Sequence, residues 1–450
     1  MASPEVISDI KTRIRKNRVL TIADALLARD AGLLPITGVE RLSMNDGIIY
    51  EPADLAQRGE RPARAPSPST QLSLTRARGT LRCLVILVDF DDNPAATPPH
   101  HFETLLFDPA SPNSMRSFYR DMSYGKLDIE GVVTPWLRAP HPYSYYTNGT
   151  SGTGHTFPNN TPGLLHDMLD IYTATGSFQG FDLNGDGYVD GLFLVHAGMG
   201  AEADSDAQTR GGKIWSHKWV LPQAYMNSGL KAYAYFTAPE DGKLGVFAHE
   251  FGHFLGLPDL YDTSYRSRGV GNWCLMGGGS WGGGGDSPTR LSAWCLSELG
   301  WIKPGKINGL TNVTLATLES GAEHCFQLDP ANGPKHEYFL IENRQKTGRD
   351  SALPGSGLAV WHIDKSQTSN ANPLSYMVAL VQADGRRDLE FNTNSGDTSD
   401  LFPGRQQVTK VDSSSLVQPN TILNSGNPSG ISITRIATGP KRTISATLKA

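Results

Sequence analysis

Residues 246–262 read VFAHEFGHFLGLPDLYD and bring two imidazoles, several carboxylates and a glycine to spacings that chemistry can use. If the segment up to Leu255 is helical, His249 and His253 stand at i and i+4 on one face, so both reach one metal ion while Glu250 sits beside them. That is a pair of zinc ligands and a general base. Gly256 can take the left-handed conformation that ends a helix, after which Leu257 and Pro258 turn the chain back to offer Asp259 as a third, oxygen ligand. Asp262 is the reserve ligand for a longer turn. Three protein ligands leave a fourth position for water, which is the arrangement of metal-assisted hydrolysis with Glu250 as its base. The competing reading is an amphipathic helix whose histidines merely pack or face water.

A second chemical stretch is FDLNGDGYVDGLFLVHAG, residues 181–198. Asp182, Asn184, Asp186 and Asp190 fall at offsets one, three, five and nine of a calcium loop, with Gly187 at the sharp turn and a carbonyl from Tyr188. Hard oxygen donors on a tight loop suit Ca2+. Offset twelve is Phe193 rather than the usual glutamate, so further ligands must come from elsewhere, and Glu202 and Asp204 are candidates. The alternative is a solvated Asp/Asn/Gly turn.

These groups need elements to hold them. LRCLVILVDF at 81–90 has the pattern of a strand buried on both faces, and TPGLLHDMLDIYTATG at 161–176 has helical spacing that would support its sheet, with His166 facing solvent. KAYAYFTAPED at 231–241 is the candidate edge strand for an extended peptide. The glycine-rich run 277–285 lacks the lysine of a phosphate loop and reads as flexible chain shaping the cleft. His196, His217 and Trp219 stand between packing and substrate contact. From about Lys303 short strand patterns follow one another, which argues for an all-β, sandwich-like region. Within it His362, Asp364, Asp397 and Asp400 are polar enough to hold a metal or to satisfy loop backbone. The fold class expected is α+β: a catalytic domain with a mixed sheet and an active-site helix at 79–303, then a β-rich domain at 304–450.

Residues 1–78 form an N-terminal extension. An amphipathic, charge-studded pattern at 1–30 lacks the continuous apolar core of a secretory signal, and a Pro/Arg/Ser-rich linker runs from 51 to 70. Its functional reading is a pro-segment cut in that linker; the other is an ordinary surface extension. With 450 residues, two or three domains are expected. A net charge of -5 gives no basic surface for nucleic acid, and no apolar run reaches the length of a membrane span. Four cysteines are too few for a disulfide framework; Cys83 reads as a buried thiol and Cys274 with Cys295 as the nearest pair.

The segment HEFGHFLGLPD, with Met276 in NWCLMGGGSW, resembles the immune-inhibitor-A-type family of zinc metalloproteases within the metzincin group. LVILVDFDD, SFYRDMSYGKLDIEG, IWSHKW, PTRLSAWCLSELGWI, EYFLIENRQ and GLAVWHID extend that similarity over most of residues 80–405. The resemblance implies a secreted endopeptidase acting on proteins or peptides, with Met276 as the methionine turn beneath the zinc. The missing secretory signal leaves a cytoplasmic location as the alternative. Many metzincins carry a tyrosine two residues after that methionine, and here Gly278 stands there. The competing functions are a calcium-stabilised binding protein on the same fold and a narrow metal amidase.

Overall fold

The computed structural model describes residues 77–450, apart from 155, 205–206, 263–265, 332 and 416. The expected N-terminal extension thus lies almost wholly outside the described residues. Its last part is stitched to the body: Trp301 Nε1 donates to Ala77 O at 2.7 Å and Arg78 Nη2 to Gly300 O at 2.7 Å.

The apolar run is the long strand β1 (Gly79–Asp89). It pairs in parallel with β2 (Leu127–Arg138) and β3 (Gly191–His196). Side chains alternate along it. Cys83, Val85 and Leu87 enter one apolar cluster, whereas Leu84, Ile86 and Val88 enter another. The second cluster is closed by Leu164, Leu165, Met168 and Leu169, on a helix spanning Thr161–Thr173 whose first turn is capped by the Asn160 side chain.

Two further strands complete the sheet, β4 (His217–Asn227) and β5 (Leu230–Pro239), in the order β2-β1-β3-β5-β4. β5 is parallel to β3 and β4 antiparallel to β5. This corrects one expectation, because the stretch at 231–241 supplies the interior strand β5 while β4 takes the edge. The physical reason is the tight turn at Ser228 and Gly229, both at positive φ, which folds β4 back onto the outer side of β5.

Three helices cover the other face: α1 (Pro99–Phe107), α2 (Met115–Met122) and, counting Thr161–Thr173 as α3, α4 (Leu244–Phe254). A short α5 (Ala293–Glu298) follows, capped by the Ser292 hydroxyl. Phe247, Ala248 and Phe251 of α4 share one cluster with Phe193 and Phe236 of the sheet. No helix among the described residues is long and apolar enough to cross a membrane.

Beyond Glu298 the described residues form strands and two 3-10 turns. β6 (Gly305–Lys306), β8 (Cys325–Leu328), β9 (Glu337–Arg344), β10 (Gly357–Asp364) and β11 (Val378–Leu380) make one sheet, ordered β11-β10-β9-β8-β6. β7 (Leu310–Leu315), β12 (Val411–Asp412), β13 (Ser432–Thr438) and β14 (Ile444–Lys449) make another. Phe339, Ile341, Leu358 and Val360 pack between these two sheets against Leu315, Ile433 and Leu448. The opposite faces of β9 and β10 turn Tyr338, Leu340, Trp361 and Ile363 into the same cluster as α4 and Trp301. β9 is therefore buried along its whole length, as the middle layer of a stack.

Candidate metal centre

α4 begins after Lys243 and ends in a motif that the sequence dictates. Gly256, at φ +96°, donates its N–H to His253 O, and Leu257 N–H donates to Gly252 O. Those two bonds are a Schellman cap, which satisfies late helix carbonyls and reverses the chain. The reversal brings Asp259 back over the end of the helix. His249 Nε2, His253 Nε2 and Asp259 Oδ1 then lie mutually 3.1 Å apart. All three residues are buried.

The other ring nitrogens decide what faces inward. His249 Nδ1 lies 3.0 Å from Leu275 O, and His253 Nδ1 lies 2.8 Å from Leu257 O. A carbonyl only accepts, so each Nδ1 carries the proton and each neutral ring turns an Nε2 lone pair toward Asp259. Two lone pairs and a carboxylate oxygen at that spacing repel unless a cation sits among them. Four-coordinate zinc at about 2.0–2.1 Å from its ligands would hold them about 3.3 Å apart, so the donor set fits that ion. Asp259 Oδ2 is buried without a hydrogen-bond partner. Burial pushes the Asp259 carboxyl up, but the two histidines outweigh it and hold it well below the usual carboxylate range. Burial lowers His253, and Asp259 and Glu250 more than reverse that, leaving it raised.

Glu250, next along α4, is buried at the same place. Asp262 is turned away: its Oδ2 accepts from Ser267 N at 3.0 Å and Ser267 Oγ at 2.6 Å. Met276 is fully buried below α4, and Leu260 N–H donates to its carbonyl at 2.8 Å. The neighbouring carbonyl of Leu275 is the one that orients His249. Helix and turn are thus joined through backbone carbonyls. The glycine-rich run after Met276, expected to be flexible, is held instead: Gly279 N–H donates to Cys274 O and Thr289 N–H to Gly279 O.

Residues that spacing alone did not single out surround this centre. Lys218, buried on edge strand β4, donates to His253 O at 3.1 Å and so places a cation at the C-terminal end of α4. Tyr119 OH on α2 donates to Ala248 O at 2.5 Å. Arg344 on β9 binds Asp350 through two nitrogens at 2.8 Å and donates to Trp273 O at 2.9 Å. IWSHKW, SFYRDMSYGK and EYFLIENRQ are the stretches that contain them; no spacing rule distinguishes a brace from core packing.

In the 182–190 loop the side chains mostly bind the loop's own backbone. Asp182 accepts from Gly185, Asp186 and Gly187 N–H, Asn184 from Asp186 N–H, and Asp186 from Tyr188 N–H. Asp190 Oδ2 accepts from Arg82 and Leu183 N–H, whereas its Oδ1 is buried without a partner. Glu202 and Asp204 do not complete this loop. Glu202 accepts from Ser216 N and Oγ, and Asp204 takes Lys213 Nζ at 2.6 Å and Thr209 Oγ1 at 2.7 Å, because both follow the C-terminal end of β3 whereas the loop precedes its N-terminal end.

His196 and His217 are fully buried, with His217 Nε2 3.1 Å from Tyr235 OH; Trp219 packs partly buried on β4. His166 is 44% exposed beside Asp170, and Asp167 and Asp170 accept from Tyr146 and Tyr225 hydroxyls. His362 lies 2.8 Å from Glu337, and Asp364 accepts from Ser366 and Asn424, which ties loops together. All four cysteines are buried free thiols, with Cys274 and Cys295 sulphurs 3.8 Å apart.

The chain is similar to known proteins over the region that holds these residues. A family model described as immune inhibitor A peptidase M6, catalytic domain, matches residues 73–302. Immune inhibitor A of Bacillus thuringiensis subsp. alesti is 33% identical, the match covering 43% of this chain and 34% of that protein. The pre-pro-metalloprotease PrtV of Vibrio cholerae serotype O1 is 32% identical, over 49% of this chain and 30% of that protein. The chain therefore matches about a third of the length of these curated relatives. With just over half of its residues inside the family's catalytic region, and His249, His253 and Asp259 within that half, the chain belongs to the immune inhibitor A peptidase M6 family.

Proposed function

We propose that this protein is a zinc-dependent endopeptidase in which His249, His253 and Asp259 hold the metal and Glu250 is the general base. The observation that carries the reading is the set of three donor atoms 3.1 Å apart with both imidazole lone pairs turned inward. Bound there, zinc supplies a Lewis acid that acidifies water and polarises the scissile carbonyl. Glu250 takes the proton from the attacking water and delivers it to the leaving amine. Asp259, rather than a third histidine, lowers the centre's charge by one and makes that water somewhat less acidic. The carbonyls of Leu275 and Leu257 hold the rings in the tautomer that ligation requires.

An extended protein or peptide substrate would lie along the free edge of β4, paired through its main chain. Met276 is read as a metzincin-type methionine turn. The loop carrying Asp182, Asn184, Asp186, Tyr188 and Asp190 is read as a calcium site, supported by the buried, unpartnered Asp190 Oδ1. We take residues 79–303 as the catalytic domain and 304–450 as a β-rich domain. The extension 1–78 is read as a pro-segment of a secreted zymogen.

The test is digestion of unfolded casein by the chain and by Glu250→Ala, with zinc measured in both. Cleavage by the wild type alone, with zinc retained in both, is expected. Silence of both, persisting after removal of residues 1–78, would overturn the peptidase reading in favour of a binding protein. Hydrolysis of small amides without casein cleavage would favour a narrow amidase.

A further inference from the structure

Far along the chain from the metal centre, the loop 384–400 collects three carboxylates. One oxygen each from Asp384, Asp397 and Asp400 lie within 4.8 Å of one another. Oxygens on opposite sides of a calcium ion, at about 2.4 Å each, are about 4.8 Å apart. The donors on these acids leave part of the charge unanswered. Asp400 Oδ2 accepts from Trp273 Nε1 and Asp397 N–H, both at 3.0 Å, but its Oδ1 has no hydrogen-bond partner although the residue is 0% exposed. Asp384 repeats the pattern. Its Oδ1 accepts from Arg386 N–H, while Oδ2 lacks a hydrogen bond, the side chain being 1% exposed with the largely exposed Arg386 Nε 3.6 Å away. Asp397 accepts from Ser399 N–H and Asn394 Nδ2.

An unanswered buried carboxylate is costly, so it is protonated or it meets a cation. Burial, with Asp397 and Asp384 nearby, pushes the Asp400 carboxyl up to about 7. Asp400 Oδ1 has no hydrogen-bond donor, and Asp384 Oδ2 faces only the exposed Arg386 guanidinium at 3.6 Å, so a cation among the three acids would answer both oxygens. All donors are hard oxygens, which selects calcium over zinc.

We propose that Asp384, Asp397 and Asp400 form a calcium site that fastens the 384–400 loop to the segment leading into Met276. The attachment is visible on both sides of the cluster. Trp273 donates to Asp400, and Asn272 N–H donates to Ser395 O at 2.7 Å. Calcium bound here would stiffen the floor under the metal centre without touching it, independently of the peptidase reading.

The indole of Trp273 provides the readout. In an Asp190→Asn background, which removes the 182–190 loop from consideration, Tb3+ should give tryptophan-sensitised luminescence that excess Ca2+ abolishes. Trp273→Phe should remove the luminescence while calcium still binds, though more weakly because Asp400 Oδ2 loses its indole donor. Asp400→Asn should remove both, and should also raise the calcium-free melting temperature because it deletes a buried charge. Millimolar Ca2+ should raise the melting temperature of the background protein by about 3 °C or more and leave that of Asp400→Asn unchanged. Asp384→Asn serves if Asp400→Asn does not fold. Equal calcium stoichiometry and equal thermal response in the background protein and either Asn variant would overturn the proposal, as would a background protein that ignores Tb3+ and Ca2+ and keeps these carboxylates neutral with protons.

Discussion

The sulphur of Met276 lies directly under Gly252, so close that a Cβ at Gly252 would stand 2.5 Å from it. Gly252 occupies the turn of α4 between His249 and His253, and Met276 follows the residue whose carbonyl holds His249. The absent side chain is what lets the turn rise against the helix.

Gly252→Ala should therefore destabilise the protein. Alanine gains about 1 kcal/mol of helix propensity, but overpacking a closed core costs about 1–3 kcal/mol, and Met276 is fully buried. Zinc affinity should fall with it, since displacing the turn displaces Leu275 O. Adding Met276→Ala should restore part of both. Thermal melts with zinc titration of the single and double variants measure this, and a Gly252→Ala protein with unchanged melting and zinc binding would show that the contact is slack.

Arg344 is fully buried between Glu342 and Asp350 and braces Trp273 O. Arg344→Met should cost about 3–5 kcal/mol, because it strands two buried carboxylates. Replacing Glu342 and Asp350 by their amides in the same chain should recover much of that loss. The check is urea unfolding of the two variants beside the wild type.

The cluster that contains α4 and Trp301 also contains Tyr338, Leu340, Trp361 and Ile363. Cutting the chain after residue 303 would bare that face, so the shortened protein should aggregate or bind hydrophobic dyes. The full chain should unfold in one calorimetric transition, and two well-separated transitions would count against so shared a core.

Burial holds both His196 and His217 down at about 4, against an ordinary value of 6.5. Between those values the unfolded chain binds protons that the folded chain does not, so stability is complete above about pH 6.5 and declines as pH falls toward 4. The loss is on the order of 3 kcal/mol per histidine across that window. Urea midpoints at neutral and mildly acid pH should show the slope, and His196→Asn should flatten it. A slope unchanged by that substitution would mean other groups drive acid unfolding.

Local pattern made much of this protein legible. The i, i+4 histidines, the Gly256 stop and the buried run at 81–90 each depend on neighbours in the chain, so α4, its Schellman cap and β1 can be read directly from the sequence. The same is true of the strand-rich character after Lys303. That Asp259 rather than Asp262 meets the histidines is not a local matter, because it depends on how far the turn after Leu257 carries the chain. Only the folded chain decides that β4 and not β5 is the edge, since strand order is a matter of pairing between distant segments. It also decides that Glu202 and Asp204 leave the 182–190 loop for Ser216 and Lys213. Lys218 at His253 O, Arg344 at Trp273 O and the meeting of Asp384 with Asp397 and Asp400 likewise join residues that no local periodicity links. Sequence sets which groups are available and which short elements form; burial shared among separate segments sets which of those groups meet.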